Sequence, residues 1–116
     1  MTKKIITTKL KKPSKATKFK DFRESFTQDL SKSKKDQKLY LDLALEEYEK
    51  EKNLENFLLA LRTIAIANGG FTKLSQKTNL NRQSLYKALS TNGNPALATI
   101  DTILNGLGFR LAIQVA

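Results

Sequence analysis

Residues 79–99 read NLNRQSLYKALSTNGNPALAT, and the interpretation of this stretch decides that of the whole chain. Leu85, Ala88 and Leu89 recur about one helical turn apart, the mark of a short amphipathic helix. Asn81 precedes it and suits an N-cap. The Gly93-Asn94-Pro95 break ends it at once. With the leucines turned inward, Arg82, Gln83, Tyr86 and Lys87 are left on the outer face. Those residue types can read bases: arginine forks onto guanine, glutamine pairs with the two adenine groups in the major groove, and lysine reaches guanine or phosphate. Tyrosine can contact a thymine methyl or bond to phosphate.

A reading helix of this kind needs a second short helix before it, joined by a tight turn. Residues 72–78, TKLSQKT, supply one, giving a reading unit over 71–90. Leu74 is the apolar anchor, and Ser75 is the small residue where the helices cross. Asn79 tolerates the left-handed turn conformation at low cost, and Leu80 plugs the turn. Thr78 departs from the pattern, because an aliphatic residue is more usual there. Thr72 and Lys73 at the start of the first helix are candidate phosphate contacts, as are Asn81, Ser90 and Asn94. Two short helices around an asparagine also occur in small domains that bind nothing. Charge separates the two readings: no Asp or Glu occurs from Asn56 to Ile100, so nothing on the outer face repels phosphate.

The net charge of +10 is unevenly spread. Residues 1–20 hold eight lysines and no acid, and residues 21–56 hold ten of the eleven acids. Beyond Phe57 the single acid is Asp101, against Arg62, Lys73, Lys77, Arg82, Lys87 and Arg110. Two basic zones around an acidic one imply at least two kinds of partner, nucleic acid being the natural one for the basic zones.

Residues 1–18 have too much like charge and too little apolar content to fold alone, and are expected to form a disordered basic arm. Residues 19–116 are expected to form one mainly α-helical domain of five to six helices. Phe19, Phe22, Phe26 and Leu30 form an apolar stripe on the first helix. Leu39, Leu41, Leu43, Ala44, Leu45 and Tyr48 form the face of the second, which ends in Glu46, Glu47, Glu49 and Glu51. Glu46 and Lys50 are placed for an (i, i+4) pair there. Asn53 caps a third helix, apolar nearly all round from Leu54 to Ile66, that ends at Gly69-Gly70 and serves as the central packing element. After the reading unit, Leu97, Ile100, Ile103, Leu104 and Leu107 mark the inner face of a last helix. Phe109, Leu111, Ile113 and Val115 then alternate with Arg110, Ala112 and Gln114, which predicts a strand over 109–115. A lone strand must pair with something, most simply its copy in a second subunit, so these four residues are the expected dimerisation contacts.

The chain has no cysteine and no histidine, and no clustered carboxylates among its apolar helices. Disulfides and thiolate zinc sites are excluded, and an enzyme would lack the commonest general base and metal ligand. No enzyme activity, metal or other cofactor is expected. No apolar run nears the roughly 20 residues needed to span a bilayer. The basic N-terminus lacks an apolar stretch behind it, so a cytoplasmic chain is expected.

The stretch from Gly69 to Ile113, with its LxRxxLYKALSxxGNP run over 80–95 and its LxxLGFRL ending, resembles the addiction-module antidote proteins. These are HigA-like antitoxins with a Cro/phage-repressor-type helix-turn-helix, partners of RelE/HigB-like toxins. The resemblance covers about residues 39–115. It implies a lambda-repressor-like domain and a type II toxin-antitoxin role: neutralising a small mRNA-endonuclease toxin, and repressing its own operon on double-stranded operator DNA as a dimer. The acidic stretch from Asp42 to Glu55 suits a basic toxin, and Phe19, Phe22, Phe26 and Leu30 are the better candidates for docking it. The glutamates also suit a solvated helix face, and the aromatic stripe could instead fold back on the core. Two alternatives remain open. One is a stand-alone phage-type repressor with no toxin. The other is an RNA-binding protein that uses the lysine arm without sequence preference.

Overall fold

Five helices account for the regular structure of residues 33–116, which are the residues described by the computed structural model of this protein. They are α1 (Lys34–Glu51), α2 (Leu54–Ala67), α3 (Gly70–Thr78), α4 (Arg82–Ala88) and α5 (Leu97–Gly106). The basic arm and the Phe19–Leu30 helix expected from sequence lie outside the described residues.

Local sequence sets most of the boundaries. Ser33 caps α1 by accepting from the Asp36 amide, and Asn53 caps α2 by accepting from the Glu55 amide. Between them, Lys52 takes a left-handed conformation (φ 56°) and donates its backbone N–H to the Tyr48 carbonyl, closing α1. The expected Gly69-Gly70 punctuation is present, both residues having positive φ.

Helix α2 carries the core. Phe57, Leu58, Ala60, Leu61, Ile64 and Ala65 are all buried, as expected of a helix apolar on so many sides. α1 packs along it, and α3 packs against α2, α4 and α5 in turn. A reciprocal amide pair pins the start of α1 to the end of α2. Gln37 donates to Asn68 Oδ1 at 3.0 Å, and Asn68 donates to Gln37 Oε1 at 3.1 Å. Gln37 is buried, so this pairing satisfies polar atoms that would otherwise be costly to hide. Helix α5 approaches α3 closely at Gly106, where an added Cβ would sit 2.5 Å from Thr78 Cγ2 and 3.1 Å from Leu74 Cδ1.

Several expected faces turn out differently. On α1 the buried stripe is Gln37, Tyr40, Leu41 and Ala44, while Leu39 and Leu45 face outward. The two stripes differ by a small rotation, which puts Tyr40 fully inside the core cluster. The (i, i+4) ion pair that closes on α1 is Lys38–Asp42 at 2.7 Å, not Glu46–Lys50. On α2, Ile66 is 61% exposed, and at the head of α5 Leu97 is 69% exposed rather than inward. Leu97 is the first helical residue, where no turn precedes it to carry it onto the core. Among the described residues no strand is present, and 109–116 carry neither helix nor strand. Phe109 packs against the core and donates its N–H to Leu104 at 2.8 Å. Ile113 and Val115, by contrast, are 99% exposed. A strand cannot form here without a second strand to satisfy its ladder.

The packing yields a stability prediction. Gly106→Ala should destabilise the domain by about 1–3 kcal/mol, since its methyl must displace Thr78 or Leu74. Urea unfolding would measure this, and a midpoint equal to the parent's would show that α3 and α5 are not in close contact.

Candidate nucleic-acid interface

The turn between α3 and α4 is three residues long, Asn79 to Asn81. Asn79 sits at φ 63°, the left-handed conformation expected of it, and its N–H donates to the Ser75 carbonyl at 2.9 Å. Ser75 Oγ donates to the Leu80 carbonyl at 2.5 Å, so the small residue at the crossing also ties down the turn. Thr78, the apparent misfit, has a physical account. Its hydroxyl donates to the Leu74 carbonyl at 2.8 Å and accepts from the Leu80 amide at 3.2 Å. Its methyl meanwhile faces Gly106. One side chain therefore caps the end of α3 and packs against α5, where an aliphatic residue would only pack.

Asn81 caps α4, accepting from the Ser84 amide at 2.7 Å. Leu85 and Leu89 are fully buried and Leu80 and Ala88 are packed against the core, which fixes the rotation of α4. Arg82, Gln83, Tyr86 and Lys87 are consequently all exposed, as the sequence predicts. The helix stops at Ala88. Gly93 is required three residues after Ser90, because a Cβ there would collide with the Ala88 carbonyl. Thr72, Lys73, Asn81 and Asn94 are exposed, and Ser90 is half-buried with its hydroxyl donating to the Lys87 carbonyl at 2.9 Å.

Tyr86 has a place that sequence alone does not reveal. Its ring lies against Phe71 of α3, with centroids 4.4 Å apart and planes tilted by 35°. The Arg82 guanidinium lies 5.7 Å from the centroid of the Tyr86 ring, and Arg82 donates to Tyr86 Oη at a long 3.4 Å. Phe71, Tyr86 and Arg82 thus form a column running from the buried side of α3 to the outer face of α4. Phe71 is buried, and its helix begins two residues earlier than the sequence suggested. A tyrosine held in this way is half a structural residue, which limits its freedom to reach a base and steers the arginine beside it.

The chain carries no carboxylate from Asn56 to Ile100, a span that includes α3 and α4. The acids cluster instead on α1 and the start of α2, where Glu46, Glu49, Glu51 and Glu55 are exposed. Among the described residues no group of His, Cys, Asp or Glu could hold a metal ion. No helix there is long and apolar enough to cross a membrane.

Comparison with known proteins adds family information. A family described as "Probable addiction module antidote protein" matches residues 22–115, a longer stretch than the 39–115 legible from motifs. It therefore takes in Phe22, Phe26 and Leu30 and leaves out Phe19 and the whole lysine arm. An uncharacterized protein of Haemophilus influenzae is 35% identical over 74 residues, covering 64% of this chain and 75% of that protein. No solved structure matches. With the match spanning nearly all of the chain beyond the lysine arm, this protein belongs to the family of probable addiction module antidote proteins.

Proposed function

We propose that this chain is the antitoxin of a type II toxin-antitoxin module, neutralising a small basic mRNA-endonuclease toxin and repressing its own operon as a DNA-binding dimer. The observation that carries the DNA-binding half is α4. Its inner leucines are locked in the core, and Arg82, Gln83, Tyr86 and Lys87 are exposed within a span of the chain that carries no acid. Placed in a major groove, Arg82 and Gln83 at the helix start would meet base edges, and Lys87 a base or phosphate. Thr72, Lys73, Asn81, Ser90 and Asn94 flank this face and suit phosphates. Lys73 is exposed and has no carboxylate partner among the described residues, which suits that role.

Membership of an antidote family supports the toxin-binding half, and favours it over a stand-alone repressor. Two regions are offered for the docking. One is the exposed acidic face of α1, complementary to a basic protein. The other is the Phe19, Phe22, Phe26 and Leu30 stripe, which lies outside the described residues. For the dimer, the exposed Leu111, Ile113 and Val115 are the residues we assign to pairing with a second copy. Phe109 contributes by anchoring the tail to its own domain. A twofold dimer of this kind would present two α4 helices to half-sites about one DNA turn, roughly 34 Å, apart. Nothing in this role calls for catalysis.

Co-expression of the tagged chain with its neighbouring genes tests the toxin-binding half directly. A small basic protein should co-purify in stoichiometric amount, and deleting residues 1–30 should release it. Recovery of DNA alone, removable by salt, would instead make the chain a repressor in its own right.

Two substitutions and a truncation probe the DNA half. Arg82→Ala should weaken specific binding by about 1–3 kcal/mol while leaving random DNA little changed. Equal loss on both would make Arg82 a phosphate contact. Tyr86→Leu combined with Arg82→Ala should cost less than the sum of the two single changes, because the ring acts partly by holding the guanidinium. Strict additivity in gel-shift titrations would dissolve that link. Removal of residues 111–116, which spares the packed Phe109, should give a monomer with weak operator binding. A truncated chain still dimeric by light scattering would refute the role of the tail.

A further inference from the structure

The start of α1, the outer side of α3 and the end of α5 enclose a cavity of about 110 Å³ that no α4 residue lines. Lys34, Lys73 and Lys77 surround it, together with Asn68, Gly70 and Gly106. It continues into an open groove of about 510 Å³ that shares Lys34, Lys77, Gly106 and Leu107 and extends to Thr102 and Asn105. No lining residue of either space is acidic. Asn105, at the far end of the groove, donates to the Asp101 carboxylate at 3.4 Å, one turn back along α5.

Converging cations without a counter-charge are unusual, because like charges repel and partial burial weakens their hydration. Among the described residues the one ion pair is Lys38–Asp42, so none of the three lysines is paired with a described carboxylate. Lys34 is also held in place. Its Nζ donates to the Leu107 carbonyl at 2.7 Å and lies 4.9 Å from the centre of the Phe109 ring. Burial, and secondarily the charge of Lys77, pull its pKa below the ordinary lysine value. An anion in the groove would relieve both effects, restoring the counter-charge that the fold omits.

We propose that this lysine-lined groove binds a dianionic phosphate, inorganic or the terminal group of a phosphomonoester. Three lysines lining a small space match a group with nearly two negative charges at neutral pH better than a single carboxylate or a backbone phosphodiester. No α4 residue lines the site, but it shares Lys73 with the phosphate contacts proposed beside α4, so the two readings meet at that one side chain.

The test is titration of the full chain with inorganic phosphate at constant ionic strength, followed by amide resonances, with chloride as control. Saturation at one site per chain is expected, with shifts confined to Gly70, Lys73, Lys77, Gly106 and Gly108. Lys73→Gln and Lys77→Gln should each weaken binding about tenfold, as expected for losing a charge-assisted hydrogen bond. Both side chains are exposed and make no hydrogen bond among the described residues, so unchanged melting temperatures would confirm intact folds. A response that never saturates, or affinities unchanged in both variants, would overturn the proposal. So would displacement of bound phosphate by a duplex lacking terminal phosphates that shifts the same residues, since the occupant would then be a phosphodiester backbone.

Discussion

The left-handed turn at Asn79 is the constraint on which the functional surface depends. Without it, α3 would run on instead of turning, and α4 could not lie back across it. Three side chains enforce the turn from different directions: Ser75 holds the Leu80 carbonyl, Thr78 the Leu80 amide, and Asn81 the Ser84 amide. Once the turn is set, Leu85 and Leu89 drop into the core, and the rotation of α4 follows. The four polar residues on its outer face are therefore presented by a helix of seven residues with little stability of its own. Tertiary burial, not helix propensity, keeps it formed.

The rest of the domain acts as a base for that arrangement. α2 supplies most of the buried apolar surface, the Gln37–Asn68 pair locks α1 to it, and α3 joins both to α4 and α5. Because α3 contacts three helices, strain at Gly106 or Phe71 reaches the outer face through short paths. The Phe71–Tyr86–Arg82 column is the clearest of these, running from a buried ring to an exposed guanidinium. Charge is divided among the described helices: acids on α1, at the start of α2 and at Asp101 of α5, and none on α3 or α4.

Features encoded locally were legible in the sequence. The caps at Asn53 and Asn81, the left-handed Asn79, the buried Leu74, Leu85 and Leu89, and the outward Arg82, Gln83 and Lys87 all follow from side-chain chemistry at fixed spacing. Features set by tertiary neighbours were not. Periodicity cannot tell Tyr40 from Leu39 when both lie near the edge of an apolar face, and it placed Leu97 inward although no preceding turn carries it there. Tyr86 looks outward in any helical projection, and its stack on Phe71 appears only when α3 is docked. Thr78 looked like a flaw because its two hydrogen bonds depend on the turn it helps to close. The alternation of residues 109–115 is plain in the sequence, but a strand needs a partner that a single chain does not provide.

The most direct measurement for the central claim, that α4 reads DNA, is the mapping of amide shifts when the full chain is titrated with a duplex from its own promoter. The account predicts saturable changes at Arg82, Gln83, Tyr86 and Lys87, with lesser ones at Thr72, Asn81 and Asn94. They should persist against excess random duplex. Changes confined to the N-terminal lysines, or erased equally by random duplex, would contradict it. In that case α4 would be a packing helix, and the chain's attraction to nucleic acid one of charge alone.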